Sequence, residues 1–246
     1  LQDPNSKTCY IVDLKTLLNS RKFVPDEQFR YSSEVLPTSD LCLLDDNRYI
    51  GYHMWYLDDK QFSKVDSPLG YYQKGEDSGK GMDDFPFFVA SVNGACLFKN
   101  PQTQELWTAD MHRDAIRIYN DSLKQIRELV GPDHFSPEYT RRQIDAPVAF
   151  VTFADECDYH AYTDYYITDK HIYLVYEGNK HFDMKNHSPV EIFKLDFDGN
   201  LICNYKLDRY VYSISINKKE DTLYCASRPS VMEPPVILKY KHDNHI

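Results

Sequence analysis

Four side chains that could recognise a ligand lie close together near the middle of the chain. Trp107, Asp110, His112 and Arg113 combine an aromatic ring, a carboxylate, an imidazole and a guanidinium. Because a guanidinium binds anions and an aromatic ring packs well on apolar faces, this set could hold an anionic or sugar-like ligand. The alternative is structural: an aspartate fixes the turn, and Arg113 pairs with a nearby carboxylate.

A second mixture of possible ligands runs from Asp155 to His160 (DECDYH). Calcium loops place carboxylates around a tight turn that needs glycine, and this segment contains none. Zinc requires histidine and cysteine at defined spacings together with further ligands. We therefore predict a polar loop between strands, keep Asp155 and His160 as candidate binding residues, and expect no metal or cofactor.

The sequence lacks the motifs of several common enzyme classes. The glycine-rich stretch at residues 74–84 misses the spacing of a phosphate-binding loop, and no GxSxG nucleophile elbow occurs. Adjacent carboxylates such as Asp83 and Asp84 point to opposite faces of a strand, so they make poor acid–base pairs. We assign no catalytic residue, and the sequence leaves open whether the protein is an enzyme.

Composition excludes some classes of partner. The formal net charge is −10, from 38 acidic and 28 basic residues, so the chain repels phosphate backbones and nucleic acid is not expected. No apolar stretch approaches the roughly 20 residues that a transmembrane helix needs. The six cysteines are widely spaced without a CxxC motif, which favours free, buried thiols over disulfides.

Short strand-like runs separated by Asp and Asn turns fill the chain. Twenty tyrosines and 13 phenylalanines suit half-buried pleated surfaces. A hairpin is predicted across residues 40–53, and Asp198-Gly199 marks another. Residues 123–130 could form a helix by composition, but their position after a hairpin turn favours a strand. Residues 14–20 have leucines at helical spacing, so one or two helical turns capped by Asp13 are expected.

The order of these signals repeats. Residues 113–124 and 190–202 both read as an outer strand, an Asp turn and an outermost strand. Repeats of roughly 40–50 residues in an all-β chain are typical of propeller blades. We predict one β-propeller domain over residues 1–246, built of four-stranded antiparallel blades, six or alternatively five in number. Four units are visible, near 36–66, 85–130, 148–207 and 208–241, and residues 9–13 are expected to complete the last blade. A β-sandwich is the alternative fold.

Two stretches resemble a known family. Residues 190–200 (VEIFKLDFDGN), with the following YSISI and TLYCA runs, are similar to TolB-like six-bladed propeller proteins of Bacteroidales. Residues 109–120 (ADMHRDAIRIYN) resemble the Asp…Arg-Ile-x-Val-Phe-Asp pattern of NHL-type and TolB-like blades. The resemblance implies a single six-bladed domain without assigned catalytic residues. It also implies export to the periplasm or outer membrane surface, often with a lipid anchor on a preceding cysteine.

Three functional hypotheses follow. The leading one is a binding or scaffolding propeller whose partner is a protein or a glycan. The second is a propeller enzyme, a lyase or hydrolase acting on a saccharide or lactone at the mouth of the channel. The third is a structural domain of a larger envelope assembly, which predicts a large apolar surface patch. The sequence sets neither the ligand nor the oligomeric state.

Overall fold

The computed structural model describes residues 1–3, 6–19, 23–36, 39–45, 47–57, 65–76, 88–90, 92–143, 149–153, 159–180, 188–228 and 233–241. Within these ranges the regular structure is almost entirely strand, which confirms the all-β prediction. The one helix in them is α1 (Leu14–Asn19). Asp13 caps it as predicted, because its Oδ1 accepts a hydrogen bond from the Thr16 N–H at 2.7 Å.

The strands of the described ranges form six sheets. The first sheet joins β1 (Gln2–Asp3), β2 (Thr8–Ile11) and β3 (Glu27–Arg30). The second sheet joins β4 (Cys42–Leu43), β5 (Arg48–Tyr52) and β6 (Leu69–Gln73). A third joins β7 (Phe88–Ala90), β12 (Tyr139–Gln143) and β13 (Ala149–Phe153). The fourth has β8 (Ala95–Lys99), β9 (Leu106–Asp110), β10 (Ala115–Tyr119) and β11 (Gln125–Val130). The fifth has β14 (Tyr159–Ile167), β15 (Ile172–Lys180), β16 (Glu191–Leu195) and β17 (Leu201–Lys206), and the sixth β18 (Ser213–Ile216), β19 (Thr222–Ser227) and β20 (Val236–Lys241).

The chain divides into two compact units. One comprises Leu1–Asn93 and Arg141–Val151, and the other comprises Gly94–Thr140 and Thr152–Ile246. The core of the first unit includes Phe29 and Tyr49, whose rings lie 5.5 Å apart. The second unit contains the fourth, fifth and sixth sheets, and it holds every predicted site residue that the structure describes.

Turn chemistry explains why the strands of the second unit pair as consecutive hairpins. Asn100, Asn120, Asp196 and Asn217 each begin a hairpin turn, and the side-chain oxygen of each accepts hydrogen bonds from two backbone N–H groups further on. The hydrogen bonds of such Asx turns join groups only a few residues apart. Gly199 adopts a φ of 86°, a conformation that favours glycine, at the predicted Asp-Gly turn. The repeated Asp and Asn residues of the sequence are therefore the repeated turns of the fold.

Several strand assignments can be compared with the sequence predictions. Residues 125–130 form strand β11, as expected rather than a helix. Strand β2 pairs with β1 and β3 instead of completing the last sheet. Strand β7 pairs in parallel with β13, so neither belongs to the repeat unit in which the sequence placed it. Such long-range pairing depends on which sheet edges meet, and local sequence patterns do not indicate which distant strands will pair.

The expectations for the cysteines and for a transmembrane helix can also be compared with the structure. Cys9, Cys42, Cys96 and Cys225 are buried thiols outside any disulfide, and Cys203 is a partly exposed thiol. Cys157 lies outside the described residues. Over the described ranges, no helix has the length and apolar character needed to cross a bilayer.

Candidate functional site

The turn between β9 and β10 carries three of the predicted binding residues. It runs from Asp110 to Asp114, and backbone hydrogen bonds fix it on two sides. The Met111 N–H donates to the Gly94 carbonyl at 2.6 Å, and the Ala161 N–H donates to the Met111 carbonyl at 2.7 Å. The turn is therefore anchored to strand β14 as well as to its own sheet.

Asp110 and Arg113 come together, but in a buried ion-pair network. Asp110 is 1% exposed, and its Oδ2 lies 3.8 Å from Arg113 Nη1 and 3.4 Å from Arg117 Nη1. Arg117 Nε in turn lies 3.2 Å from Glu128 Oε2. A buried charge needs such partners, because desolvation is costly without them. The network therefore occupies the Arg113 guanidinium with a protein carboxylate, as in the structural alternative for this turn.

Asp114 organises the neighbouring backbone. Its Oδ2 accepts hydrogen bonds from the N–H groups of Asp133 at 2.6 Å and His134 at 2.8 Å. The Tyr162 hydroxyl donates to Oδ1 at 3.3 Å, inside the core. The carboxylate thus shapes the segment that follows β11 by accepting two of its backbone N–H groups, and it gives the buried Tyr162 hydroxyl an acceptor.

Replacing Asp114 with alanine is expected to lower the free energy of unfolding by about 2 kcal/mol, because it removes two backbone hydrogen bonds and leaves the buried Tyr162 hydroxyl without its carboxylate acceptor. Equilibrium urea denaturation followed by circular dichroism measures this. Asp198→Ala is the matched control, since Asp198 lies in an exposed turn and should change stability by less than about 0.5 kcal/mol. Equal effects of the two variants would contradict the assigned role.

Trp107 lies apart from this turn, in the core of the second unit. It is 0% exposed on β9 and packs in a cluster with Phe98 and Ile118. The rings of Phe98 and Trp107 are 6.0 Å apart. A ring without exposed surface in this conformation contributes packing, so Trp107 supports the sheet from which the turn projects.

His112 and His160 meet in space although 48 positions separate them in sequence. Their ring centroids are 5.2 Å apart with the planes perpendicular. His112 Nδ1 donates to the Tyr159 carbonyl at 3.1 Å, and its ring lies 4.5 Å from that of Phe153. His160 Nδ1 lies 3.7 Å from Glu177 Oε2. We call His112, His160 and Glu177 the histidine–glutamate cluster.

Glu177 is the member of this cluster that sequence reasoning missed. Its side chain is 3% exposed, and it follows directly on the apolar run of β15. Burial raises its pKa to about 7. Burial together with the neighbouring Glu177 raises the pKa of the Tyr210 hydroxyl as well. A glutamate directly after an apolar strand run was the one signal that could have pointed to it.

The six candidate binding residues thus have four different fates. Asp110 and Arg113 pair with each other, His112 joins His160, and Trp107 is in the core. Asp155 lies outside the described residues. Within the part of the chain that is described, no group of three or more His, Cys, Asp or Glu side chains has the geometry to hold a metal ion.

Comparison with known proteins bears on the fold. The family described as TolB-like 6-blade propeller-like matches residues 56–219. No curated protein matches the chain. A crystal structure of a member of the DUF4221 family from Bacteroides vulgatus aligns with a TM-score of 0.50 and 9% identity, over 88% of this chain and 70% of that one.

More distant likenesses also occur among solved structures. BamB from Moraxella catarrhalis aligns with a TM-score of 0.35 and 10% identity, over 96% of this chain and 67% of that one. The Pan2 WD40 domain from Neurospora crassa aligns with a TM-score of 0.35 and 12% identity, over 92% and 72%. The six sheets of the described ranges and a family match over most of the chain agree with the propeller prediction. The chain belongs to the TolB-like 6-blade propeller-like family.

Proposed function

We propose that this protein is a binding propeller whose ligand, a glycan or a protein, is recognised at the histidine–glutamate cluster. The observation that carries the proposal is the convergence of His112, His160 and Glu177 from a turn and two strands. Ionisable groups that are buried close together, with a perturbed pKa among them, are typical of functional sites. The His160 side chain is 15% exposed, so the cluster reaches solvent.

The chemistry of the cluster favours a glycan over an anionic ligand. Imidazole and carboxyl groups both donate and accept hydrogen bonds, as hydroxyl groups of a sugar require. The Arg113 guanidinium, which would attract an anion, is instead engaged by Asp110. A hydroxyl-rich ligand therefore matches the cluster better than a phosphate or sulfate does.

The context of the site is part of the same proposal. Residues 1–246 form one propeller domain that acts outside the cytoplasm, at the periplasm or outer membrane surface. Membership in the TolB-like family supports this location, because the resemblance implies exported proteins.

Binding to an array of immobilised glycans tests the proposal. We expect the protein to bind at least one glycan class, and His160→Ala to weaken that binding tenfold or more. His134→Ala is the control, since His134 is exposed and lies outside the cluster. An array on which nothing binds would contradict a glycan ligand, and unchanged binding by His160→Ala would place the ligand elsewhere.

A second candidate function is a lyase or hydrolase acting on a saccharide or lactone. The observation that favours it is the 3.7 Å approach of His160 to Glu177, whose pKa of about 7 suits general acid–base catalysis. Glu177→Gln would then abolish product formation from a bound saccharide while leaving its binding intact. A wild-type protein that binds a glycan and releases it unchanged would eliminate this function.

A further inference from the structure

A cavity of about 430 Å³ opens between the fifth and sixth sheets, within the second unit. Strand register explains its walls. Tyr173 and Cys203 both lie opposite Lys194, and Tyr205 lies opposite Ile192, so these side chains share one face of the fifth sheet. On the sixth sheet, Leu223 lies opposite both Ile216 and Tyr240, and these three form the facing wall.

The walls are apolar and aromatic, and the cavity has the size of a small-molecule site. Tyr173, Ile192 and Ile216 are buried, while Tyr205 and Tyr240 are partly buried nearer the outer strands. Ligand sites usually occupy 300–1,000 Å³ and combine such walls with a few polar groups. Three tyrosine rings in one cavity favour a ligand with an aromatic body, since rings pack well against rings.

The one acidic residue of the lining is already neutralised by the protein. Glu220 accepts hydrogen bonds from the side chains of Thr168, His171, Tyr173 and Lys194, with His171 Nδ1 at 2.6 Å and Lys194 Nζ at 3.1 Å. Although burial opposes ionisation, the bonds from Thr168, His171 and Lys194 lower the Glu220 pKa to about 2. Glu220 therefore fastens the β18–β19 turn to the fifth sheet and presents little net charge to the cavity.

The basic residues of the lining lie at its rim. Lys206 and Lys241 are both exposed, and Lys206 lies 3.4 Å from Glu191 at the surface. Within the described ranges, no ion pair is seen for Lys241. Because Glu191 offsets the charge of Lys206, the net positive charge of the rim comes from Lys241, in a chain with a net charge of −10. Such a rim attracts a negatively charged group and repels a positive one.

We propose that this cavity binds a small molecule with an aromatic body and one anionic group. The ring lies between Tyr173, Tyr205 and Tyr240, and the anion lies at the rim near Lys241. The walls come from β15–β20, so the site is distinct from the histidine–glutamate cluster and does not depend on the glycan proposal.

Isothermal titration calorimetry with three matched probes tests the charge preference. These are 3-phenylpropionate, 3-phenylpropanol and 3-phenylpropylammonium, which share a ring and differ in charge. We expect the anion to bind most tightly, and Lys241→Glu to weaken it about three- to fivefold, as an exposed ion pair allows. Lys239→Glu is the matched control, because Lys239 is on the same strand but lies over the Tyr224 ring. The proposal is overturned if the ammonium probe binds as tightly as the anion, or if the two variants weaken binding equally.

Cys203 gives a second readout without a substitution. It lines the cavity and is partly exposed, unlike the four buried cysteines. Saturating 3-phenylpropionate should slow its alkylation by iodoacetamide at least threefold, measured by peptide mass spectrometry. Cys203→Trp should fill the cavity and remove binding of all three probes, with a thermal melt to confirm folding. An alkylation rate unchanged by the probe contradicts the site even if that variant does not fold.

Discussion

Trp107→Ala is expected to lower the free energy of unfolding by about 3–5 kcal/mol, the range for removing a large buried aromatic side chain. Trp107 is 0% exposed, and its ring packs beside Phe98 in the core of the second unit. A methyl group added at Gly199 would come within 3.2 Å of the Trp107 ring, which shows how closely the neighbouring turn covers it. Truncation leaves a cavity that the paired strands cannot readily close. Urea denaturation followed by circular dichroism measures the loss.

Trp107→Phe separates packing from hydrogen bonding. The Trp107 indole N–H makes no hydrogen bond within the described part of the chain, so losing it should cost little. Most of the ring volume remains, and we expect a loss of about 1–2 kcal/mol. If Trp107→Ala instead left stability unchanged and abolished ligand binding, Trp107 would be a binding residue, as its position in the sequence first indicated.

Glu177→Gln is expected to raise stability at pH 8 by about 3 kcal/mol relative to the wild-type protein. Burial raises the pKa of Glu177 from 4.5 to about 7, so the folded protein holds this proton more tightly than the unfolded chain does. The stabilisation is complete below pH 4.5 and is lost as the pH rises through about 7. A shift of this size corresponds to about 3 kcal/mol, and glutamine removes the dependence because it does not ionise.

Unfolding free energies of the two proteins between pH 4 and pH 9 provide the measurement. The difference between them should be small near pH 4 and should grow across neutral pH. Glu105→Gln is the control. The Glu105 carboxylate lies near the surface, where it accepts a hydrogen bond from the hydroxyl of exposed Thr103. Parallel curves for wild type and Glu177→Gln would show that Glu177 does not titrate in this range. The assigned cluster chemistry would then be wrong.

Local features of the fold could be predicted from the sequence because local interactions produce them. Asx turns such as those at Asp196 and Asn217 form from bonds within a few residues, so the hairpins around them were predictable. The hairpin turn that precedes strand β11 indicated a strand there rather than a helix, and the structure has a strand. The cap at Asp13 is equally local.

The candidate site was only partly predictable. The sequence identified Asp110 and Arg113 as neighbours, and the ion pair between them is short-range. The meeting of His112 with His160 depends on how the fourth sheet packs on the fifth. Glu177 acquires its raised pKa only through burial, which no property of the residue itself reveals.

The sequence by itself thus determined the all-β class, the hairpin turns and the propeller family of this protein. Tertiary structure alone decided that β7 pairs with β13, that β2 pairs with its own neighbours, and that Trp107 is enclosed in the core. The physical reason is the distance along the sequence between the interacting groups. A turn is stabilised by groups a few residues apart, whereas sheet edges and buried clusters form between groups that only the folded chain brings together.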